Sequence, residues 1–519
     1  MRVAASRVIW TIAAACLMAT AQPPSAQAGE TSRISGVVVN RVTGQPLSQA
    51  RVLVAPDDGS SKEIETITGT DGRFVFDRVP AGSWTLQAER RGFLGQKYGQ
   101  RSLYTTGAIS IVTGPGGVSE NLTFGLNPPA AIRGKVVDEN GEPVMGAFLQ
   151  FLVQIPSART EFLVRKTVAT DDAGEYRIPD LPAGTCYLFA VVPVPESGTG
   201  FAPQYYPNAT DARAATPIQL KAGEEFTGDF TLQRGRGVSV EIEGVSGIPG
   251  GSESELLILL TQGPQGSEVS AGTLGPGSGR TFHNVLPGRY KFVIGDLRGA
   301  YATSKWIEVG SEDLTVTLPF HDPPEVTAKV RVVNGDSKSL QQAMLGLVAF
   351  AGAGNNSRPL GPDGTAVFPG MAAGRYDIVL HSPGLYIKSV SARNARVADG
   401  LVDLPESGPV QLEIVAAGDG ARVKGKVQSG GKPMSGVQVV LAPSQQSANP
   451  DDYHGYESDS DGTFDFRAVR PGDYTIFAID DGHLEYGNGA AIGKYLAAGK
   501  AVKAEPKGSV ELQLEILRR

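Results

Sequence analysis

One eleven-residue pattern, written five times along the chain, restricts the possible folds more than any other feature. FDRVPAGSWTL at Phe76–Leu86 returns as IPDLPAGTCYL from Ile178, FHNVLPGRYKF from Phe282, FPGMAAGRYDI from Phe368 and FRAVRPGDYTI from Phe466. Each copy opens on an apolar residue, carries Gly at its seventh position and places a bulky residue two positions later. This reads as strand, tight turn, strand, with Gly82, Gly184, Gly288, Gly374 and Gly472 supplying a conformation or a close approach that a Cβ would obstruct. Trp84, Cys186, Tyr290, Tyr376 and Tyr474 then fall on the core face of the second strand. The repeat recurs about every 100 residues, the length of one β-sandwich.

A second pattern opens three of the units. Ile34-Ser-Gly36-Val-Val38, Ile132-Arg-Gly134-Lys-Val136 and Val423-Lys-Gly425-Lys-Val427 alternate as first strands, and each leads to Gly-x-Pro at Pro46, Pro143 or Pro433. Asp71-Gly72, Ala173-Gly174, Asp363-Gly364 and Asp461-Gly462 precede strands and read as hairpin turns. The 66 Gly and 35 Pro therefore punctuate short strands instead of forming a low-complexity tract. The expected fold is all-β, a tandem array of about five Ig-like or prealbumin-like β-sandwiches. Their expected limits are 29–127, 128–234, 235–321, 322–418 and 419–519, after a leader at 1–28.

These motifs resemble the carboxypeptidase regulatory-like domain, a prealbumin-like sandwich with a G-x-P turn, a D-G-x-F hairpin and an F-x-x-(V/L)-P-x-G-x-Y ending. Units one, two and five carry nearly the whole pattern, whereas units three and four keep its later part. The resemblance implies accessory modules that accompany enzymes without performing their chemistry. It also implies a carbohydrate-binding-like fold, which makes carbohydrate a reasonable ligand class.

The amino terminus reads as a secretory signal. Arg2 and Arg7 precede an apolar run from Val8 to about Ala21, and Ala26-Gln27-Ala28 offers small residues for cleavage before Gly29. Ala13-Ala14-Ala15-Cys16 loosely imitates a lipoprotein box and is the alternative. No later segment has eighteen consecutive apolar residues, so no membrane-spanning helix is expected after processing. Against 54 acidic residues the chain has 47 basic ones; loss of Arg2 and Arg7 leaves 45 and a net charge of −9. That balance, without a Lys/Arg cluster, argues against nucleic acid as a partner. Of two cysteines only Cys186 follows the leader, so each sandwich must hold together by packing. The expected location is secreted, periplasmic or cell-surface.

Reactive constellations are missing from the sequence. His283, His321, His381, His454 and His483 show no zinc-peptidase spacing, and no catalytic residue, metal ligand or cofactor is expected. Asp451, Asp452, Glu457, Asp459 and Asp461 form one acidic cluster, whose Glu457–Gly462 part imitates the start of a calcium loop but has Ala468 where the closing Glu belongs. A solvated hairpin and a weak calcium site are the two readings. Cys186 occupies the slot of the core aromatics and reads as a buried structural thiol.

Binding groups are expected in the segments after each Gly-x-aromatic strand. These hold Phe93, Tyr98, Tyr104, Phe201, Tyr301, Trp306, Tyr386, Tyr486 and Tyr495 besides the tyrosines of unit two. Such rings either stack on sugars or fold back over the sandwich edge. The candidate ligand-binding group is Tyr205 and Tyr206, assisted by Gln204 and Asn208, in the Pro-bounded loop of unit two. The function expected from all this is a non-catalytic modular protein contacting polysaccharide or a cell-surface protein. The alternatives are a structural spacer, with Asn127-Pro128-Pro129 and Asp322-Pro323-Pro324 as stiff linkers, and an enzyme with an inter-domain site.

Overall fold

The structure is a computed structural model that describes residues 31–57, 63–100, 108–153, 163–193, 200–210, 214–243, 256–262, 267–274, 280–296, 301–317, 324–349, 355–382, 384–447, 449–481 and 484–517. The expected leader with Cys16, Tyr104, His321, His483 and the Asp322-Pro323 part of the second linker lie outside the described residues.

Five groups of sheets follow one another along the chain, and each repeats one plan. In unit one the first strand, Thr31–Asn40, is central: Arg73–Pro80 pairs with it antiparallel and the last strand, Leu122–Leu126, pairs with it parallel. The facing sheet orders Ile64–Ile67, Arg51–Pro56, Gly82–Glu89 and Gln96–Lys97, with Ile111–Thr113 also on Gly82–Trp84. Apolar residues at alternate positions of both sheets, Ile34, Val38, Val52, Val54, Phe74, Phe76 and Trp84 among them, fill the space between them. In unit five the last strand, Ser509–Leu517, pairs with the first strand and, at its end, with Gly472–Ile479, so both sheets join into one eight-stranded sheet.

The parallel pairing of first and last strands explains the glycines of the opening motif. A Cβ on Gly36 would lie 2.3 Å from the Leu122 carbonyl oxygen, on Gly134 2.3 Å from that of Gly228, and on Gly425 1.8 Å from that of Leu512. The hairpin glycines are doubly constrained. Gly72, Gly174, Gly364 and Gly462 have φ between +73° and +81°, and a Cβ on each would come within 2.4–2.9 Å of a first-strand carbonyl. That carbonyl belongs to the residue whose N–H donates to the same glycine's oxygen, as Val38 does to Gly72 and Val427 to Gly462, both at 2.8 Å.

The eleven-residue motif holds a feature that the sequence reading missed. Its third residue is left-handed in every copy: Arg78, Asp180, Asn284, Gly370 and Ala468 have φ of 62°, 53°, 57°, 66° and 53°. In units one, two, three and five this residue lies where the pairing with the first strand shifts register, a bulge that bends the strand toward the turn. The seventh-position glycines, by contrast, are not equivalent. Gly82, Gly184, Gly288 and Gly374 have φ of 137–157°, whereas Gly472 is not left-handed and a Cβ there would meet only Tyr474 at 3.6 Å. The expectation that all five are obligatory is corrected at Gly472.

Units one, four and five have cores made of their own residues. Unit two has its own core as well, but the core of unit three is shared with it: Leu152, Phe189, Val191 and Tyr205 pack with Val240, Phe282, Tyr290 and Phe292. Units four and five are joined by polar contacts: Asn334 and Tyr386 donate to Asp419 at 2.6 and 2.9 Å, and Arg470 donates to the Lys388 carbonyl at 2.9 Å.

Candidate functional site

The unit-two loop begins with the short strand Gln204–Tyr205, antiparallel to Phe189–Ala190. Strand alternation sends Tyr205 and Tyr206 to opposite sides, as the sequence implies. Both sides are covered. Tyr205 is 6% exposed, lies in the core shared with unit three and has its ring 4.7 Å from that of Phe189. Tyr206 is half-buried in unit two's own core, edge-on to Phe226 and Phe230 at 5.8 Å. Gln204 is 4% exposed, and its Oε1 has no hydrogen-bond partner among the described residues. Only Asn208 of the group is exposed. Of the two tyrosines, which the sequence expects to point in different directions with one anchoring the loop, Tyr205 is the anchor, because unit three supplies the wall that a single sandwich would lack. Nothing in one unit's sequence signals that wall.

The acidic turn of unit five departs from the solvated hairpin. Ser458, Asp459 and Asp461 are all buried. The Ser458 hydroxyl donates to the Met434 carbonyl at 2.7 Å and accepts from the Val437 N–H at 3.0 Å. Thr68 and Thr170 make the same two bonds in units one and two. This hydroxyl clamp fixes the turn, and its sequence signal is a Thr or Ser four residues before the hairpin glycine. The Asp459 carboxyl accepts from the Tyr456 hydroxyl at 3.1 Å and from the Thr463 hydroxyl at 3.2 Å. Burial pushes its pKa up to about 7; the two hydroxyls oppose the rise, and Asp461 and Asp57 add to it. Its neighbours are thus donors and a second carboxyl, and no cluster of three or more His, Cys, Asp or Glu residues fit to hold a metal occurs among the described residues. The calcium reading finds no ligand set there.

Most of the other loop aromatics cover their sandwich. Tyr98 stands edge-on to Phe124 at 5.4 Å, Tyr495 of helix Gly489–Leu496 stacks on Phe477 at 5.6 Å, and the Tyr386 hydroxyl is held by Asp419. Trp306 differs. It sits on the edge strand Tyr301–Val309 of unit three, 50% exposed, with Arg289 4.6 Å and Lys291 5.9 Å from its ring centre. Cys186 is 2% exposed and burial pushes its thiol up to about 12, which leaves it no nucleophilic role at neutral pH. Burial also lowers the pKa of His454, against the pull of Asp452 and Asp451.

Residues 33–126 and 131–233 match the carboxypeptidase regulatory-like domain, and residues 419–484 match the second β-sandwich domain of BOS complex subunit NOMO1-like proteins. The chain therefore carries two carboxypeptidase regulatory-like domains in tandem and a NOMO1-like sandwich in unit five. A search of curated proteins finds no match. Among solved structures, the Bacillus anthracis TIE protein is 13% identical over 76% of this chain and 75% of its own, with a TM-score of 0.18. The minor pilin GBS52 of Streptococcus agalactiae is 13% identical over 42% and 99%, with a TM-score of 0.21. Two B repeats of the Staphylococcus aureus collagen-binding protein are 11% identical over 75% and 100%, with a TM-score of 0.14.

Proposed function

We propose that the chain is a non-catalytic, exported surface protein whose sandwiches hold edge-strand and loop groups against a glycan or protein surface. The observation that carries this reading is Trp306. The exposed half of the indole contributes no burial to the sandwich, and a flat ring beside Arg289 and Lys291 suits a polymer that offers sugar rings and acidic groups. Tyr206 and Asn208 form a second contact at the rim of unit two, supported from beneath by Gln204 and Tyr205. Export rests on the leader read from residues 1–28.

The test is binding of the intact exported protein to neutral and acidic polysaccharides, repeated with Trp306→Ala and Tyr206→Ala. The expected result is a loss of about 1 kcal/mol or more for Trp306→Ala with an unchanged melting curve. Binding that survives both substitutions overturns the platform. A second reading, a structural element of the cell surface, is favoured by the core shared between units two and three, which makes a stiff joint. A silent panel would support it.

A further inference from the structure

Equivalent turns are exposed in other units and buried in unit five. The side chains of Asp71 in unit one and Asp363 in unit four are 62% and 64% exposed, whereas that of Asp461 in unit five is 8% exposed. The covering surface is unit one. The Ser460 N–H donates to the Ser110 carbonyl at 2.9 Å, and the Val112 N–H donates to the Ser460 hydroxyl at 3.0 Å, across 348 residues of chain.

Val112 lies in Ile111–Thr113, an edge strand that among the described residues pairs with Gly82–Trp84 alone, so its outward N–H would otherwise face water or a foreign strand. Beside it the Ile109 side chain comes within 2.8 Å of where a Cβ on Gly436 would stand. Gly436, with φ of +69°, admits it. One backbone bond, one side-chain bond and an apolar contact thus meet at one seam.

We propose that units one and five clasp each other through the Ile111–Thr113 edge and the Asp459–Gly462 turn, closing the array into a ring that tightens in acid. Along the same path lie the shared core of units two and three and the Asp419 contacts of units four and five. Acid control follows from the charges at the seam. Asp459 faces Tyr456 and Asp461 from its own unit and Asp57 from unit one; Lys426 approaches Asp461 at 3.8 Å, and Asp465 lies near Tyr456. The described residues of the unit-one edge, Ile109 to Thr113, bring no cation to balance these carboxyls.

The Asp459 carboxyl has its pKa raised to about 7 by burial; Tyr456, Thr463 and Asp461 beside it belong to unit five and Asp57 to unit one, so the share of the rise that unit one contributes is present only when the seam is closed. Closure is therefore fully favoured below the ordinary carboxylate range and weakens as pH rises through about 7.

Small-angle scattering of the exported full-length chain, at acid and at mildly alkaline pH, tests it. The expected result is a compact particle in acid that lengthens in alkali, and an Asp459→Asn chain that stays compact in both. In acid, Ser110→Cys with Ser460→Cys should form a disulfide within one chain, read as faster non-reducing migration and a cross-linked peptide; Cys186 is too buried to compete. A rod in both conditions overturns the clasp, as does a bond formed only between two chains. An unchanged particle size across pH overturns the acid control. Scattering of the unaltered protein decides the matter even where a cysteine variant folds poorly.

Discussion

The turn Asp171–Gly174 of unit two and the turn Asp459–Gly462 of unit five share a backbone and differ in surroundings. Each closes with the glycine N–H on the first residue's carbonyl, at 3.1 and 2.8 Å, and each is preceded by a clamping hydroxyl, Thr170 or Ser458. Yet Asp171 is exposed and Asp459 is buried. The difference teaches that local sequence sets the geometry of a hairpin, while its electrostatics belong to whatever sits on top of it.

The largest expected effect lies in what the two turns have in common. Gly174→Val and Gly462→Val each force a Cβ into left-handed backbone against a carbonyl, and each should destabilise its own unit by more than about 3 kcal/mol. Differential scanning calorimetry should show Gly462→Val moving the transition of unit five alone and Gly174→Val moving units two and three together, because those two share a core; an equal loss of every transition would break the picture of separate cores.

Next comes the difference itself. A folded-state pKa raised to about 7 means stability that is present below the ordinary carboxylate range and lost as pH rises through 7. Unit five should lose on the order of 2 kcal/mol between pH 5 and pH 8, and Asp459→Asn should remove that slope. Asp171→Asn is the control, and a slope that it abolished instead would reverse the comparison. Denaturant melts at the two pH values supply the measurement.

A smaller contrast separates the seventh-position glycines of the same two units. Gly184→Ala, at φ of 137°, should cost about 1–2 kcal/mol, and Gly472→Ala, outside the left-handed region, less than about 0.5 kcal/mol. Equal costs would mean that the position is demanding for some reason other than φ. Smallest is the bulge: Ala468→Gly should stabilise unit five by up to about 1 kcal/mol, and Asp180→Gly unit two by less, since Asp tolerates left-handed backbone better than Ala. Thermal melts resolve both if the unit transitions are separated.

Much of the scaffold was legible because its causes are local. Alternation in Ile34-Ser-Gly36-Val-Val38, the hairpin glycines and the core aromatic after each seventh-position Gly are properties of a few adjacent residues, and each recurs in three or four of the five units. The bulge at Arg78, Asp180 and Ala468 was not legible, since residues so different share it only because the first strand's register demands it.

By itself the sequence determined that this chain is a tandem array of β-sandwiches, because hydrophobic period, turn chemistry and glycine placement act within each hundred-residue unit. Tertiary structure decided the rest: that Tyr205 is buried in a seam with unit three, that Trp306 is left on an open edge, and that Asp459 meets unit one. Burial depends on atoms brought in from hundreds of residues away, and no local pattern encodes their arrival.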